Sequence, residues 1–285
     1  MPRVGDVMRI FKDGDDAVLA SADAVRRVEG FDFDGLFRSV DPRKFLEGCF
    51  LGGEECAACE DLGARKWDAP LGSQEVWASG VTYFRSRTAR MEESEEAGGA
   101  EFYDLVYAAE RPELFFKATA RRARGHRDLI RIRADSSWDV PEPELTLAIN
   151  SGGKVFGYTV GNDVSSRSIE GENPLYLPQA KVYRGSCALG PCLVVPDDVP
   201  DDATRIALTI RRGGAVVFEG ETGLAQMKRS LVELADWLFR ENEFPDGALL
   251  MTGTGVVPGT DFSLTSGDEV AVAIDGIGEL VNVVE

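Results

Sequence analysis

The feature that most restricts the fold of this chain is a pair of alternating apolar segments separated by a glycine-rich turn. Residues 146–149 and 155–160 alternate with the two-residue period of a β-strand, and the sequence Asn-Ser-Gly-Gly at residues 150–153 lies between them. Two such segments joined by a short turn are typical of an antiparallel β-hairpin. We therefore expect a hairpin, and a sheet built around it, in the second half of the chain.

The later part of the chain favours strands over helices. Strand-like segments recur at residues 249–252 and 269–274, and one late helix is predicted over residues 224–239, where leucines repeat at helical spacing. Strands and helices do not alternate here, as a parallel α/β fold would require. The sequence therefore predicts a β-dominated α+β fold.

The first 70 residues have a more mixed pattern. Short strand-like segments precede a helix predicted near residues 32–45, and a proline-containing loop follows at residues 68–70. Strand patterning then resumes. We expect a small amino-terminal α/β domain over residues 1–70 and a catalytic domain over residues 71–285.

The charge of the chain excludes two classes of partner. The 285 residues carry 31 Lys and Arg against 49 Asp and Glu, which gives a formal net charge of −18 at pH 7. Nucleic-acid binding and adhesion to an anionic membrane both need a basic surface, so we expect neither. No apolar run reaches the roughly 18 residues of a membrane span, and no apolar signal segment follows Met1. Five cysteines, an odd number, argue against a disulfide framework, so we expect a cytoplasmic protein.

His126 is the only histidine, which excludes several catalytic classes. Zinc hydrolases, two-histidine iron sites and H-E-x-x-H metalloproteases each need at least two imidazoles. Because His126 lies in an arginine-rich segment, we expect it to be a solvated surface residue. Acid–base chemistry in this chain therefore has to come from carboxylates, a lysine or a hard metal ion with oxygen ligands.

Three carboxylates are predicted to converge beside the hairpin. Glu142 and Glu144 are two residues apart at the start of the first strand, so both side chains project from one face. An antiparallel return brings Asp163, at the end of the second strand, close to them. Oxygen ligands without histidine or thiolate suit Mg²⁺. Exposed acids on an acidic protein are the alternative interpretation of the same spacing.

Several motifs in a fixed order give the chain a resemblance to a known family. They are residues 155–167, Lys181, and residues 189–191, 250–254, 266–268 and 276–278, with Glu142 and Glu144 upstream. Over roughly residues 75–285 this combination resembles the fumarylacetoacetate hydrolase family. The resemblance implies a catalytic domain built as a mixed β-roll. It also implies a metal ion, Mg²⁺ with Mn²⁺ or Ca²⁺ as alternatives, held by Glu142, Glu144 and Asp163.

The segment after Gly80 departs from the hydrolases of this family. Those enzymes have a histidine and a glutamate after the Gly-x-x-Tyr frame, and here Ser86 and Ala89 take these places. Neither side chain titrates near neutral pH, so neither can activate water. The segments 77–80, 111–117 and 169–181 instead resemble the 2-keto-3-deoxy sugar acid dehydratases of the family.

The resemblance to these dehydratases implies a lyase that acts on a 2-oxo acid in sugar acid catabolism. A 2-keto-3-deoxypentonate would lose water to give 2-oxoglutarate semialdehyde, through an enolate that the metal stabilises. Lys181 and Glu113 are the candidate base and acid, and the sequence leaves open which is which. The residues expected to contact the substrate are Tyr83, Ser86, Arg90, Arg167, Asn173, Gly253 and Thr254.

Two other functions stay open on the sequence alone. A C–C hydrolase or decarboxylase of diketo or acylpyruvate-type acids would use the same metal with different proton-transfer groups. A non-catalytic relative would bind a carboxylate without turnover. The family resemblance further implies a homodimer or a homotetramer.

Overall fold

Strands make up most of the structure, a computed structural model that describes residues 7–56, 61–84, 106–196 and 198–285. The strands are β1 (Val7–Asp13), β2 (Asp16–Ala20), β3 (Val25–Val28), β4 (Glu54–Glu55), β5 (Glu75–Gly80), β6 (Glu113–Thr119), β7 (Ala123–Arg124), β8 (Leu129–Ile130), β9 (Asp139–Val140), β10 (Pro143–Ile149), β11 (Val155–Asp163), β12 (Ser165–Ser166), β13 (Cys187–Pro196), β14 (Arg205–Arg212), β15 (Ala215–Gly223), β16 (Ala248–Met251), β17 (Glu269–Ile274) and β18 (Gly278–Val284). The α-helices are α1 (Phe33–Arg38), α2 (Pro42–Gly52), α3 (Arg167–Glu172), α4 (Leu177–Lys181) and α5 (Leu231–Phe239). Short 3-10 turns cover Ala120–Arg122, Pro174–Tyr176 and Leu224–Gln226.

Within the described ranges the strands form two large mixed sheets and one small one. The largest is an 11-stranded sheet in the order β4-β3-β2-β1-β13-β11-β10-β16-β5-β6, with β7 paired to β13. The second has five strands in the order β15-β14-β17-β18-β8, and β9 pairs with β12. Most pairs are antiparallel, but β5 pairs with β16, β7 with β13 and β8 with β18 in parallel. The predicted β-dominated α+β fold is confirmed.

The amino-terminal strands continue the largest sheet, because β1 pairs antiparallel with β13. The two amino-terminal helices bury Leu36, Phe37 and Leu46 in the same apolar cluster as Leu193 of β13 and Leu249 of β16. Each such fully buried side chain stabilises the fold by about 2 kcal/mol relative to its exposed form. The division of the chain near residue 70 stays a prediction.

The predicted hairpin is formed by β10 and β11, with Glu144 opposite Gly161 and Leu145 opposite Val160. Every residue of β10 is buried. Leu145 belongs to one apolar cluster and Ala148 to the other, so both faces of the strand are covered. The hairpin is therefore a rigid, buried support for the polar side chains at its open end.

Two predicted helices are shorter than their sequence patterns indicated. The stretch near residues 32–45 divides into α1 and α2, because Pro42 disfavours helical backbone in the residue before it and Asp41 caps α2 instead. The prediction of one continuous helix over residues 224–239 was wrong in its first half. A 3-10 turn and extended backbone occur there, and α5 begins only after Ser230 caps it.

His126 is not the solvated surface residue expected from the sequence, since it is only 1% exposed. Its Nδ1 accepts a hydrogen bond of 3.1 Å from the amide of Val281, and its Nε2 lies 3.0 Å from the carbonyl oxygen of Gly63. Burial lowers the pKa of His126, since it disfavours the charged imidazolium. The only histidine of the chain therefore links three segments that are distant in sequence.

The structure describes four of the five cysteines. Cys49, Cys187 and Cys192 are free thiols, whereas Cys56 is disulfide-bonded.

Among the described residues no helix is both long and apolar enough to cross a membrane.

Candidate active site

The three predicted metal ligands converge at the open end of the β10–β11 hairpin. Glu142 precedes β10, Glu144 lies within it, and Asp163 ends β11. The amide of Asp163 donates a 2.9 Å hydrogen bond to the carbonyl oxygen of Glu142, which closes the hairpin at this point. One ligand oxygen from each residue lies within 4.8 Å of the others, and all three residues are buried. The convergence predicted from strand geometry is therefore present.

The carboxylates of this carboxylate cluster, formed by Glu142, Glu144 and Asp163, repel one another in the buried site. Burial raises the pKa of Glu144 well above its ordinary value, and the nearby charges of Asp163 and Glu142 raise it further. The amide of Gly253 opposes this by donating a 2.6 Å hydrogen bond to Oε2 of Glu144. A buried set of oxygen donors with excess negative charge fits a hard divalent cation.

Lys181 lies directly against the carboxylate cluster, at the end of α4. Its Nζ is 2.9 Å from Oε1 of Glu142, 3.1 Å from Oδ2 of Asp163 and 2.6 Å from Oγ of Ser165. The side chain is 1% exposed. The structure thus brings the predicted proton-transfer lysine within contact of two predicted metal ligands.

Lys117 is a second buried lysine at this site that sequence reasoning missed. It forms an ion pair with Asp163, and its Nζ donates a 3.2 Å hydrogen bond to the carbonyl oxygen of Val164. The ring of Phe115, two residues earlier on β6, lies 5.6 Å from Lys181 Nζ. Lys117 is a bulge residue of β6, because Phe116 pairs with Trp77 and Ala118 pairs with Val76. Regular alternation from Glu113 does not hold at this position, so the strand pattern could not have identified Lys117.

Arg167 and Glu170 complete the charged set from helix α3. Arg167, predicted to contact substrate, is 3% exposed and places Nη2 2.9 Å from Oε1 of Glu142. Glu170, which no sequence argument singled out, lies 3.4 Å from Lys181 Nζ through Oε1. Its Oε2 is 3.7 Å from Nε of Arg167.

The fully ionised site has one net negative charge, because four carboxylates face three cations. The carboxylates are Glu142, Glu144, Asp163 and Glu170, and the cations are Lys117, Arg167 and Lys181. A divalent cation together with a substrate that carries one carboxylate would neutralise the site. Charge balance therefore fits the binding of both rather than of either one alone.

A cavity of about 770 Å³ opens beside the charged set. Its polar lining residues are Arg111, Glu113, Glu170 and Asn173, and its apolar ones are Val106, Ala109, Pro112, Pro174, Leu175 and Leu177. Glu170 belongs to both the cavity wall and the charged set, so it joins the two. Glu113 and Asn173, both predicted site residues, face the same space, which is large enough for a small sugar acid.

Glu113 is packed against Gly80 at the edge of this cavity. A Cβ atom on Gly80 would lie 2.1 Å from Oε2 of Glu113, so only glycine leaves room for that carboxylate. The hydroxyl of Ser79 donates a 3.0 Å hydrogen bond to the carbonyl oxygen of Glu113. The side chain of Asn173 is held by the backbone two residues later, because its Oδ1 accepts a hydrogen bond of 2.9 Å from the amide of Leu175.

The turn after β16 orients Glu144 rather than opening into the cavity. Gly253 has a φ of +90°, and a Cβ there would lie 2.0 Å from Oγ1 of Thr82, so this position requires glycine. Thr254, a predicted substrate contact, is 5% exposed and donates its hydroxyl hydrogen to the carbonyl oxygen of Val256. Tyr83 is fully buried, and burial together with the charge of Glu144 raises its pKa.

Two predicted substrate contacts, Ser86 and Arg90, lie outside the described residues. The other predicted site residues fall into three groups. Glu142, Glu144, Asp163, Arg167 and Lys181 belong to the charged set, and Glu113 and Asn173 line the cavity. Tyr83, Gly253 and Thr254 are buried and are not among the cavity-lining residues, and Gly253 donates a hydrogen bond to Glu144.

Comparison with known proteins identifies a matching family and similar proteins. The family described as Fumarylacetoacetate (FAA) hydrolase C-terminal matches residues 82–285. A Haloferax volcanii protein named "Probable 2-keto-3-deoxyxylonate dehydratase" is 50% identical over 214 residues, 75% of this chain and 73% of that protein. A 2-dehydro-3-deoxy-D-arabinonate dehydratase of Saccharolobus solfataricus is 45% identical over 218 residues, 76% of this chain and 73% of that protein.

A solved structure extends the similarity to nearly the whole chain. It is a 2-keto-3-deoxy-D-arabinonate dehydratase complexed with magnesium and 2,5-dioxopentanoate, 36% identical to this chain, with a TM-score of 0.83 and 98% of each chain covered. The resemblance inferred from the sequence motifs is thereby confirmed. This chain belongs to the fumarylacetoacetate hydrolase family.

Proposed function

We propose that this protein is a Mg²⁺-dependent dehydratase that converts a 2-keto-3-deoxypentonate into 2-oxoglutarate semialdehyde, which is 2,5-dioxopentanoate. The observation that carries the proposal is the buried carboxylate cluster with Lys181 in contact with it. The names of the similar proteins, which are dehydratases of this substrate class, support it. So does the magnesium and product complex of the similar structure.

Glu142, Glu144 and Asp163 are the residues that would hold the metal ion. When bound, Mg²⁺ supplies Lewis-acid stabilisation of the negative charge that develops on a 2-oxo acid when its C3 proton leaves. The oxygen-only donor set favours Mg²⁺, and Mn²⁺ and Ca²⁺ are the alternatives that accept the same ligands.

The reaction needs several proton transfers. One proton leaves C3, and the C4 hydroxyl leaves with a proton as water, which forms a C3–C4 double bond. A proton then leaves C5 and another leaves the C5 hydroxyl, while protons return to C3 and C4, so that C5 becomes the aldehyde. C4 is reduced and C5 is oxidised within one molecule, so the conversion needs no external oxidant or reductant.

Lys181 and Glu113 are the groups that we assign to these transfers. Lys181 lies against the carboxylate cluster, so it serves the carboxylate end of the substrate and the C3 proton. Glu113 lines the cavity, so it serves C4 and its hydroxyl. Proton transfer by a positioned side chain contributes about 10²- to 10⁴-fold to a rate. Removal of either group should therefore lower kcat by a factor in this range.

The hydrolase alternative lacks the histidine with which hydrolases of this family activate water, because Ser86 takes its place. The only histidine, His126, is buried and has backbone partners on both ring nitrogens. It therefore cannot take the place of the histidine that hydrolases of this family use. The cytoplasmic location, the homodimer or homotetramer and the non-catalytic alternative stay predictions.

The experiment that tests the proposal is product analysis by NMR with Mg²⁺ and 2-keto-3-deoxypentonates of both C4 configurations. We expect 2,5-dioxopentanoate from one configuration, and none when a chelator is present. Glu113→Gln should lose this activity, whereas Glu110→Gln, an exposed acid three residues earlier, should keep it. Pyruvate or another cleavage product would favour the hydrolase, and binding without turnover would favour the non-catalytic relative.

A further inference from the structure

Arg111 is the one cation among the described residues that line the cavity. It lies two residues before the start of β6 and is exposed. Neither the metal site nor the proton transfers proposed above involve it. No carboxylate of the described residues forms an ion pair with it. Its charge and its N–H donors are therefore available to a ligand in the cavity.

The guanidinium of Arg111 is restrained although the residue is exposed. Its Cζ lies 4.6 Å from the centre of the ring of Trp237, on α5. Such stacking uses the flat face of a guanidinium and leaves the N–H donors at its edge for other partners. The backbone before Arg111 is held as well, because Arg229, only 6% exposed, donates hydrogen bonds of 2.7 and 2.9 Å to the carbonyl oxygens of Ala109 and Glu110. Arg111 is thus a preorganised donor at the cavity wall.

The positions along β6 indicate which end of a substrate would meet Arg111. Lys117 forms an ion pair with Asp163 of the carboxylate cluster. Glu113, four residues earlier, lines the cavity, and so does Arg111, two residues before that. A strand advances about 3.3 Å per residue, and a residue before a proline favours extended backbone, so Arg111 lies beyond Glu113 along the path that leads away from the cluster. A substrate with its carboxylate end at the cluster and its C4 hydroxyl at Glu113 would extend its C5 hydroxyl toward Arg111.

We propose that Arg111 is a substrate-binding residue that donates a hydrogen bond to the C5 hydroxyl of the 2-keto-3-deoxypentonate, and that it thereby selects acids with a terminal hydroxyl. This inference rests on the dehydratase function proposed above. A second carboxylate at this end of the substrate is disfavoured, because Glu113 and Glu170 line the same cavity and would repel it. A hydroxyl accepts a hydrogen bond from the guanidinium without adding negative charge, and a charged donor makes that bond strong.

Two ligands and two variants isolate this contact. The ligands, 5-hydroxy-2-oxopentanoate and 2-oxopentanoate, differ only in the C5 hydroxyl, and neither has a C4 hydroxyl that could leave as water. Arg111→Met removes the donors and keeps an unbranched apolar side chain beside Trp237. Arg240→Met is the matched control. Arg240 is also exposed and also stacks on Trp237, with Cζ 3.8 Å from the ring centre, but it is not among the residues that line the cavity.

The readout is the Kd of each ligand, measured by isothermal titration calorimetry with saturating Mg²⁺. We expect the wild-type protein and Arg240→Met to bind 5-hydroxy-2-oxopentanoate about 10-fold or more tightly than 2-oxopentanoate, as a hydrogen bond from a charged donor provides. Arg111→Met should bind the two ligands with less than about a twofold difference, because only the Kd for the hydroxylated ligand rises. The unchanged Kd for 2-oxopentanoate would show that the rest of the site is intact.

The ratio of the two Kd values decides the outcome. Equal affinity of the wild-type protein for the two ligands overturns the proposal, and so does a preference for the hydroxyl that Arg111→Met retains. Equal weakening of both ligands in Arg111→Met also overturns it, because Arg111 would then act by long-range attraction or by packing. A wild-type protein that prefers the hydroxylated ligand but forms no 2,5-dioxopentanoate from the 2-keto-3-deoxypentonate would refute the proposed function instead, which makes the two failures distinguishable.

Discussion

The ammonium nitrogen of Lys181 lies 2.9 Å from Oε1 of Glu142, although the first is a candidate proton-transfer group and the second a candidate metal ligand. Arg167 contacts the same oxygen through Nη2, also at 2.9 Å. Substitutions of residues that share contacts in this way have non-additive effects on the free energy. We therefore expect metal binding and proton transfer to respond together to changes in this cluster.

Asp163→Asn should remove both metal binding and activity. The substitution removes the negative charge of one of the three metal ligands. We therefore expect Mg²⁺-dependent turnover to fall by more than about 100-fold. Asp163 also pairs with two buried lysines, Lys117 and Lys181, so the metal-free protein should lose about 3–5 kcal/mol of unfolding free energy. Calorimetric Mg²⁺ titration and urea unfolding measure the two effects, with the exposed Asp261→Asn as control. Full turnover in Asp163→Asn would mean that the metal site is wrongly placed.

Gly80→Ala tests the role of Glu113 without changing Glu113 itself. The three atoms nearest to the new methyl group would all belong to the carboxylate of Glu113, at the end of a flexible side chain that can move away at little cost in stability. If Glu113 transfers protons at the cavity, its displacement should lower kcat by about 10- to 100-fold. The melting temperature should hardly change. The control is Gly48→Ala, in an exposed part of α2 with open space around it, which should stabilise the protein by about 0.5–1 kcal/mol. Unchanged kcat in Gly80→Ala would remove Glu113 from the mechanism.

His126 should make the stability of the fold depend on pH. Its pKa is lowered from 6.5 by burial, so the unfolded chain binds the proton more readily than the folded protein. The stabilisation is therefore complete above pH 6.5 and is lost as the pH falls from 6.5 toward the folded-state pKa, with a slope of up to about 1.4 kcal/mol per pH unit. Urea unfolding of the wild-type protein and of His126→Gln across this range measures the difference. Parallel pH profiles for the two proteins would contradict the assignment.

Monovalent salt should stabilise this protein. A net charge of −18 causes self-repulsion among surface carboxylates, and salt screens it. We expect the melting temperature to rise by roughly 5 °C between dilute buffer and about 2 M KCl. Sucrose at equal osmolality is the control, because it stabilises folded proteins without screening charge. An equal rise in sucrose would show that charge repulsion is not the cause.

Local sequence patterns were sufficient to predict that Glu142, Glu144 and Asp163 converge, and the family resemblance then implied that they hold a metal ion. Alternation along residues 146–149 and 155–160 defines the hairpin, and the hairpin alone brings Asp163 to Glu142. The resemblance to a family then added Lys181, which approaches from α4. The strands that pair across this site are near neighbours in sequence, so their geometry follows from short-range rules.

The features that sequence reasoning missed depend on distant segments. Lys117 reaches Asp163 only because β6 lies at the edge of the largest sheet and faces the hairpin's open end. The partners of His126 are Gly63 and Val281, more than 60 and 150 residues away, so its local arginine-rich context was misleading. Long-range packing of this kind leaves no periodic signal in a single sequence.

The measurement that tests the central claim most directly is NMR analysis of the product formed from a 2-keto-3-deoxypentonate in D₂O with Mg²⁺. The proposed proton transfers predict 2,5-dioxopentanoate that carries deuterium at C3 and C4, and no product once a chelator removes the metal. Unchanged substrate for both C4 configurations, or a product shortened by cleavage of a carbon–carbon bond, would contradict the account.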